Sequence, residues 1–146
     1  MEQRINIQEV FPEGYKGMYA LVHALSKINI TPIQKELMKI RASQINGCAF
    51  CLDMHTKDAL KAGETPQRIF LLAAWRESGL FTEEEKVLLA MTEEITLIHQ
   101  HGLSDATYSL AKQYFTEETI GQIIMSIVLI NAWNRIAIST HLPIGA

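Results

Sequence analysis

The chain's two cysteines, Cys48 and Cys51, are three positions apart, and His55 follows Cys51 by four positions. A helix predicted to begin at Ala49 places both thiols at its N-terminal turn, where unpaired backbone N–H groups and the helix dipole favour a thiolate. Residues four apart share one helix face, so the His55 imidazole can accept the Cys51 proton or pair with its thiolate. This spacing indicates thiol redox chemistry, and it predicts a pKa for the Cys51 thiol below that of a free cysteine.

Glu36 is the predicted partner of His55. Isoleucines three positions before it and four after it put its carboxylate beside the apolar face of the preceding helix. At a helix rise of about 1.5 Å per residue, Glu36 lies roughly 15 Å before the corner at residues 46–47, and His55 roughly 12 Å after it. If the two helices fold back on each other, the carboxylate can orient the imidazole in a Glu–His–Cys relay.

Helix signals dominate the chain, so we predict an all-α protein of one domain, residues 1–146, with about seven helices. Helix-capping residues, prolines and glycines set the expected bounds. The predicted helices run from about Tyr15 to Ile28, from Pro32 to Asn46, from Ala49 to Ala62, from Pro66 to Gly79, from after Thr82 to Gly102, after Ser104, and after Thr116 to the C-terminal region.

Composition limits the classes of partner and compartment. The net charge is −3 and no Lys/Arg cluster is present, which argues against a nucleic-acid surface. The N-terminal residues do not form a signal peptide, so we expect a cytoplasmic protein whose thiols are kept reduced. The apolar stretch from Ile120 to Ile138 is interrupted by polar residues, so we expect no membrane span there.

That stretch also bears on assembly. Apolar side chains spread around more than one face of the predicted last helix, which favours a homo-oligomer with this helix at its interface. The alternative is a central helix buried within one subunit. The residues concerned are Ile120, Ile123, Ile124, Ile127, Val128 and Ile130.

The motif resembles the core of the alkylhydroperoxidase D / carboxymuconolactone decarboxylase family. That pattern places a glutamate twelve residues before C-x-x-C-x-x-x-H and small residues one and two turns further on. The matching segments here are Glu36, Asn46 to Thr56, Ala59, Gly63 and Asn131 to Arg135. The resemblance implies an all-α fold and thiol-dependent peroxidase chemistry without metal, haem or flavin. It also implies a dithiol reductant, homo-oligomers that are often trimers or hexamers, and a site of Glu36, Cys48, Cys51 and His55.

The chain departs from the family pattern between the cysteines. Well-studied alkylhydroperoxidase D proteins carry a histidine where this chain has Phe50, which removes one proton donor from the site. Carboxymuconolactone decarboxylases with lactone activity lack the C-x-x-C pair, so the pair argues against lactone decarboxylation.

Other interpretations of the pair are weaker but stay open. Zinc would need further ligands, and His99 and His101 are two apart, which is wrong for one helix face. A general disulfide oxidoreductase of the thioredoxin type needs a strand before the helix, and here a helix precedes it. A redox-sensing oligomeric protein, without enzyme activity, would use the same disulfide as an assembly switch. Within the peroxidase interpretation, Cys51 is the candidate nucleophile and Cys48 the resolving thiol, although the roles can be reversed.

Overall fold

The computed structural model describes residues 2–145, and within that range the chain is helical with no strand. The helices are α1 (Ile7–Val10), α2 (Pro12–Ala24), α3 (Pro32–Asn46), α4 (Ala49–Lys61), α5 (Pro66–Leu71), a 3-10 turn (Leu72–Ala74), α6 (Trp75–Ser78), α7 (Glu83–Thr96), α8 (Asp105–Tyr114) and α9 (Glu117–Thr140). The predicted all-α class is confirmed.

Side-chain caps begin most of these helices where the sequence predicts. Thr31 and Gln34 form a reciprocal capping box at the start of α3, and Thr82 and Glu85 form another at the start of α7. Each box satisfies two backbone N–H groups that have no partner within the helix. These caps fix the first residues of α3 and α7.

The predicted helix from Pro66 to Gly79 is wrong as a single element. The chain instead forms α5, the 3-10 turn and α6. Its buried residues Ile69, Leu72 and Trp75 recur every three positions and enter one apolar cluster. A spacing of three matches the 3-10 helix rather than the α-helix. Burial of these three side chains in one cluster therefore favours the 3-10 turn over the continuous α-helix that the sequence predicts.

Other bounds differ in smaller ways. Helix α2 begins earlier and ends earlier than predicted, because Pro12 occupies its first position and the chain leaves the helix at Leu25. Helix α7 ends at Thr96, with turns rather than helix reaching Gly102. The short α1 was not predicted, and it begins where the Asn6 side chain accepts the backbone N–H of Gln8.

Helix α3 lies at the centre of the fold. Leu37, Met38 and Ile40 are fully buried, and they divide between two apolar clusters. It packs against α4, α7 and α9. A side chain on α3 is therefore held rigidly, which suits a helix that carries part of a site.

Helix α9 is long and apolar enough, by length and composition, to cross a membrane. In the fold, four of the residues expected at an interface are buried within the chain instead, namely Ile120, Ile123, Ile127 and Ile130. The alternative of a core helix is thus correct for that face. Val128 remains about half exposed, together with Met125 and Ile138.

Candidate thiol site

A left-handed glycine turn joins the two helices that carry the site. Gly47 ends α3 with a φ of 70°, and the Cys48 backbone N–H donates to the Ser43 carbonyl at 3.0 Å. Glycine adopts this conformation without the steric penalty that a side chain would add. The turn reverses the chain, so α4 packs back along α3.

The two cysteines are free thiols in direct contact. Their Sγ atoms are 2.7 Å apart, and both side chains are almost fully buried. Cys48 is the N-cap of α4, and its Sγ accepts the Cys51 backbone N–H at 3.4 Å. A disulfide bond is about 2.05 Å long, so oxidation of this pair requires little movement of the backbone.

The predicted juxtaposition of Glu36 and His55 is present. His55 Nδ1 and Glu36 Oε2 are 2.8 Å apart, and the side chains are only 9% and 12% exposed. The other carboxylate oxygen, Oε1, accepts from Lys39 Nζ at 2.7 Å. Sequence reasoning did not identify Lys39, although its position three residues after Glu36 is the spacing at which helix side chains pair.

The Glu36 carboxylate is held in its charged form. Burial acts to raise the pKa of Glu36, but hydrogen bonds from His55 and Lys39 outweigh it and hold that pKa below its ordinary value. With a charged Glu36 as acceptor, His55 Nδ1 carries the proton of this hydrogen bond, and Nε2 is the ring nitrogen that does not contact Glu36. Among residues 2–145, the hydrogen-bonding partner of the His55 ring is Glu36, not Cys51.

Of the two thiols, Cys48 is the more acidic. A hydrogen bond from the Cys51 thiol is the largest effect, and it lowers the pKa of Cys48 to about 7, helped by backbone N–H groups of Cys51 and Phe50. The pKa of Cys51 is raised, because its proton is held by Cys48 and because the thiol is buried. The expected depression of the Cys51 pKa is therefore wrong: the N-cap position favours the thiolate at Cys48.

Asn134 of α9 is a site residue that sequence reasoning missed. Its side chain is fully buried, and hydrogen bonds from its amide lower the pKa of both cysteines. The amide is fixed by Asn46 Nδ2, which donates to Asn134 Oδ1 at 2.8 Å, and by Ser43 Oγ, which accepts from Asn134 Nδ2 at 3.0 Å. Two signals were available: Asn134 interrupts the apolar stretch of α9, and it lies in the segment Asn131 to Arg135 that resembles the family. From sequence alone, the first argues only against a membrane span and the second only for the family resemblance.

A cavity of about 520 Å³ leads to one of the two thiols. Cys51 and His55 form part of its lining, whereas Cys48 does not. Trp133 contacts Tyr15 and Tyr19 edge-on in the same wall, with ring centroids 5.4 and 5.8 Å apart. A pocket with apolar walls and few polar groups is typical of a small-molecule site.

Among the described residues, one group of side chains has ligand atoms close enough together to hold a metal ion, and it does not include the two thiols. Ligand atoms of Glu36, His55 and Asp58 lie within 4.8 Å of one another. The Glu36–His55 contact is a 2.8 Å hydrogen bond, and Asp58 pairs with Lys61 on the helix surface. Each of these three groups therefore has a polar partner among the described residues.

The sequence profile of the carboxymuconolactone decarboxylase family matches residues 12–94, more than half of the chain. The chain belongs to this family. The uncharacterized protein YdfG of Bacillus subtilis (strain 168) is 44% identical over 139 residues, which cover 95% of each chain.

Solved structures agree on the fold. ATU0492 from Agrobacterium tumefaciens, a protein of unknown function provisionally described as the antioxidant defence protein AhpD, is 36% identical, with a TM-score of 0.94 over 99% of both chains. A peroxidase-related protein with an alkylhydroperoxidase AhpD core, from Ralstonia eutropha JMP134, is 16% identical with a TM-score of 0.83, covering 94% of this chain and 74% of its own. The debrominase Bmp8 is 18% identical with a TM-score of 0.81, covering 92% and 73%. The last two comparisons show the fold alone.

Proposed function

We propose that the protein is a thiol-dependent peroxidase, which reduces alkyl or hydrogen peroxides through a Cys48–Cys51 disulfide cycle. The observation that carries the proposal is a contacting thiol pair of which one member, Cys51, opens into a cavity beside His55. The provisional description of ATU0492, which is 36% identical, as an antioxidant defence protein supports the same class of chemistry.

The first chemical step is attack on the peroxide by Cys51. The pair loses one proton near neutral pH, and His55 accepts it. The negative charge is favoured on Cys48, and transfer of the Cys51 proton to Cys48 across the 2.7 Å contact moves that charge to Cys51, at the cavity. The Cys51 thiolate attacks the terminal peroxide oxygen and the O–O bond breaks. The departing alkoxide takes a proton from His55, while Glu36 stabilises the imidazolium that supplies it.

The second step closes the disulfide. Cys48 attacks the sulfenic acid on Cys51, forming the S–S bond and releasing water. An external dithiol then reduces the disulfide by exchange and is itself oxidised to a disulfide. Overall, one hydroperoxide becomes one alcohol and one water, with the two electrons and two protons supplied by the dithiol. A reducing compartment such as the cytoplasm would supply that reductant.

The direct test is peroxide consumption by the purified protein under a continuous supply of dithiol, with Cys51→Ser as the control. We expect turnover by the wild-type protein and none by the variant. Consumption that persists in Cys51→Ser would move the nucleophile to Cys48. Absence of consumption by the wild-type protein would exclude the peroxidase.

A general disulfide oxidoreductase is the second candidate, and one observation favours it. The lowered pKa of Cys48, to about 7, lies where a thiol is most effective in exchange reactions. The burial of both sulfurs opposes it, because protein disulfides are large substrates. Insulin reduction faster than peroxide turnover would favour the oxidoreductase.

We also propose a homo-oligomer, a trimer or hexamer, in which the exposed face of α9 contributes. Met125, Val128 and Ile138 are each more than two-fifths exposed on this helix. Exposed apolar side chains on one helix face favour association. We expect Val128→Asp to lower the mass measured by light scattering, whereas a monomeric wild-type protein would contradict the proposal.

A further inference from the structure

The cavity beside Cys51 is much larger than the smallest peroxide requires. Its α9 wall extends from Ser126 to Thr140, a helix length of roughly 21 Å. A water molecule occupies about 30 Å³ in the liquid, so hydrogen peroxide would fill little of a space of about 520 Å³. The surrounding wall is mainly hydrocarbon and aromatic, which favours a ligand with a long apolar body.

Among the described residues, two lysines line the cavity, and one of them has no anionic partner. Lys35 and Lys39, one turn apart on α3, contribute to the lining, and within the described chain no aspartate or glutamate does. The Lys39 ammonium is neutralised by Glu36 at 2.7 Å. The Lys35 ammonium instead donates to the Ser26 carbonyl at 3.0 Å and makes no ion pair with any residue from 2 to 145. A ligand carboxylate at Lys35 would supply the missing negative charge.

We propose that this cavity binds a fatty-acid hydroperoxide, with its carboxylate at Lys35, its hydrocarbon along the α2–α9 wall and its peroxide group at Cys51. This inference rests on the proposed peroxidase function and names its substrate class. A peptide fits less well, because its backbone N–H and C=O groups would be buried against an apolar wall without partners. One lysine also suits one carboxylate better than the several charges of a phosphorylated headgroup.

The positions of Lys35 and Cys51 also bear on which carbon of the fatty acid carries the peroxide group. Lys35 is next to Glu36, which contacts His55, and Cys51 lies one helical turn from His55 along α4. Since Lys35 and Cys51 are separate lining residues on different helices, the peroxide group would be on a carbon away from the carboxylate, as in a hydroperoxide of an unsaturated fatty acid.

Binding can be measured without any peroxide chemistry. Calorimetric titrations would compare laurate with dodecanol, which has the same chain length but no charge, both below micelle-forming concentrations. We expect laurate to bind more tightly, and we expect Lys35→Met to reduce the ratio of the two affinities about tenfold, since the charge-assisted hydrogen bond is lost while the aliphatic stem remains. Lys86→Met on α7 changes the net charge equally, lies outside the cavity lining, and should leave the ratio unchanged.

Kinetics separate this inference from the peroxidase proposal. The kcat/KM for linoleic acid hydroperoxide should exceed that for its methyl ester, and Lys35→Met should remove most of the difference. Laurate binding without turnover of any peroxide would contradict the proposed function and leave the ligand class intact. Turnover with no preference for the acid over the ester, or a laurate affinity equal to that of dodecanol, would overturn the fatty-acid inference.

Discussion

Two largely buried carboxylates, Glu36 and Glu93, share several properties and differ in what surrounds them. Each side chain is 12% exposed, and each pKa is lowered because hydrogen bonds and nearby cations outweigh the effect of burial. Glu93 accepts from Trp75 Nε1 and Arg41 Nε, both at 2.8 Å, and also from the guanidinium of Arg76. Glu36 accepts from Lys39 and from the titratable ring of His55.

The partners distinguish Glu93, which we expect to be structural, from Glu36, which we propose to be functional. Arginine and tryptophan donors keep their protons throughout the physiological range, so the Glu93 cluster stays fixed and ties α3 and α7 to the turn at α6. Histidine can gain and lose a proton, and the Glu36–His55 pair adjoins a cavity that holds a thiol. A lowered carboxylate pKa alone would not separate these two regions.

The largest expected effect comes from Glu36→Gln. The variant keeps the size of the side chain but removes the charge that stabilises the imidazolium, so we expect the peroxidase rate to fall on the order of 10²-fold. The free energy of unfolding should fall by less than about 1 kcal/mol, because Lys39 can turn to solvent. Steady-state kinetics and urea denaturation of the same preparation would measure both. Wild-type turnover in this variant would show that the carboxylate has no role in the relay.

Glu93→Gln should show the reverse pattern and serves as the matched control. Loss of the charge leaves Arg41, which is mostly buried, without its anion, so we expect the free energy of unfolding to fall by about 2–3 kcal/mol. The peroxidase rate of the folded fraction should stay within about twofold of wild type, since the cluster does not line the cavity. If this variant loses activity while remaining stable, the distinction between the two carboxylates fails.

A smaller effect is expected at the thiols from Asn134→Ala. The amide stabilises negative charge on both sulfurs, so its removal should raise the pKa of Cys48 from about 7. The ultraviolet absorbance of the thiolate, followed against pH, would measure this change. Asn131→Ala is the control: it removes a hydrogen bond to Asn46 in the same asparagine network, but Asn131 does not act on the sulfurs. The thiolate absorbance of this variant should follow the same pH curve as that of the wild-type protein.

The smallest effect concerns acid stability. The pKa of Glu93 is lower when folded than its ordinary value of 4.5, so its charge stabilises the folded state above that pH. This contribution is lost as the pH falls through the folded pKa. The difference in unfolding free energy between wild type and Glu93→Gln should therefore shrink below about pH 4.5. A difference that stays constant from pH 7 to pH 3 would mean that charge is not what Glu93 contributes.

These regions also show what the sequence could predict. The Glu36–His55 contact follows from helix rise and one reversing turn, so it could be predicted from two adjacent helices. The Glu93 cluster could not, because its donors come from α3 and from the segment around α6, whose 3-10 turn depends on core packing. Asn134 reaches the cysteines from α9, more than eighty residues away in the sequence.

The acidity of Cys48 was missed for a related reason. The sequence places both cysteines near a helix start, but it does not say which sulfur accepts backbone N–H groups and which retains the proton. That choice depends on Cys48 occupying the N-cap itself, with its Sγ turned towards the Cys51 N–H. A helix that begins at Ala49 already puts Cys48 at the cap position, but the cap position alone does not fix the orientation of its Sγ or which of the two thiols donates to the other.

The central claim is that the two thiols act together to reduce a hydroperoxide. The reduced protein would be mixed with half an equivalent of cumene hydroperoxide, then quenched and unfolded, with free thiols and cumyl alcohol counted in the same sample. We predict two thiols lost for each alcohol formed, with no change in oligomeric mass and full recovery of both thiols by dithiothreitol. Retention of both thiols, or over-oxidation of one to a sulfinic acid while the other stays free, would contradict the account.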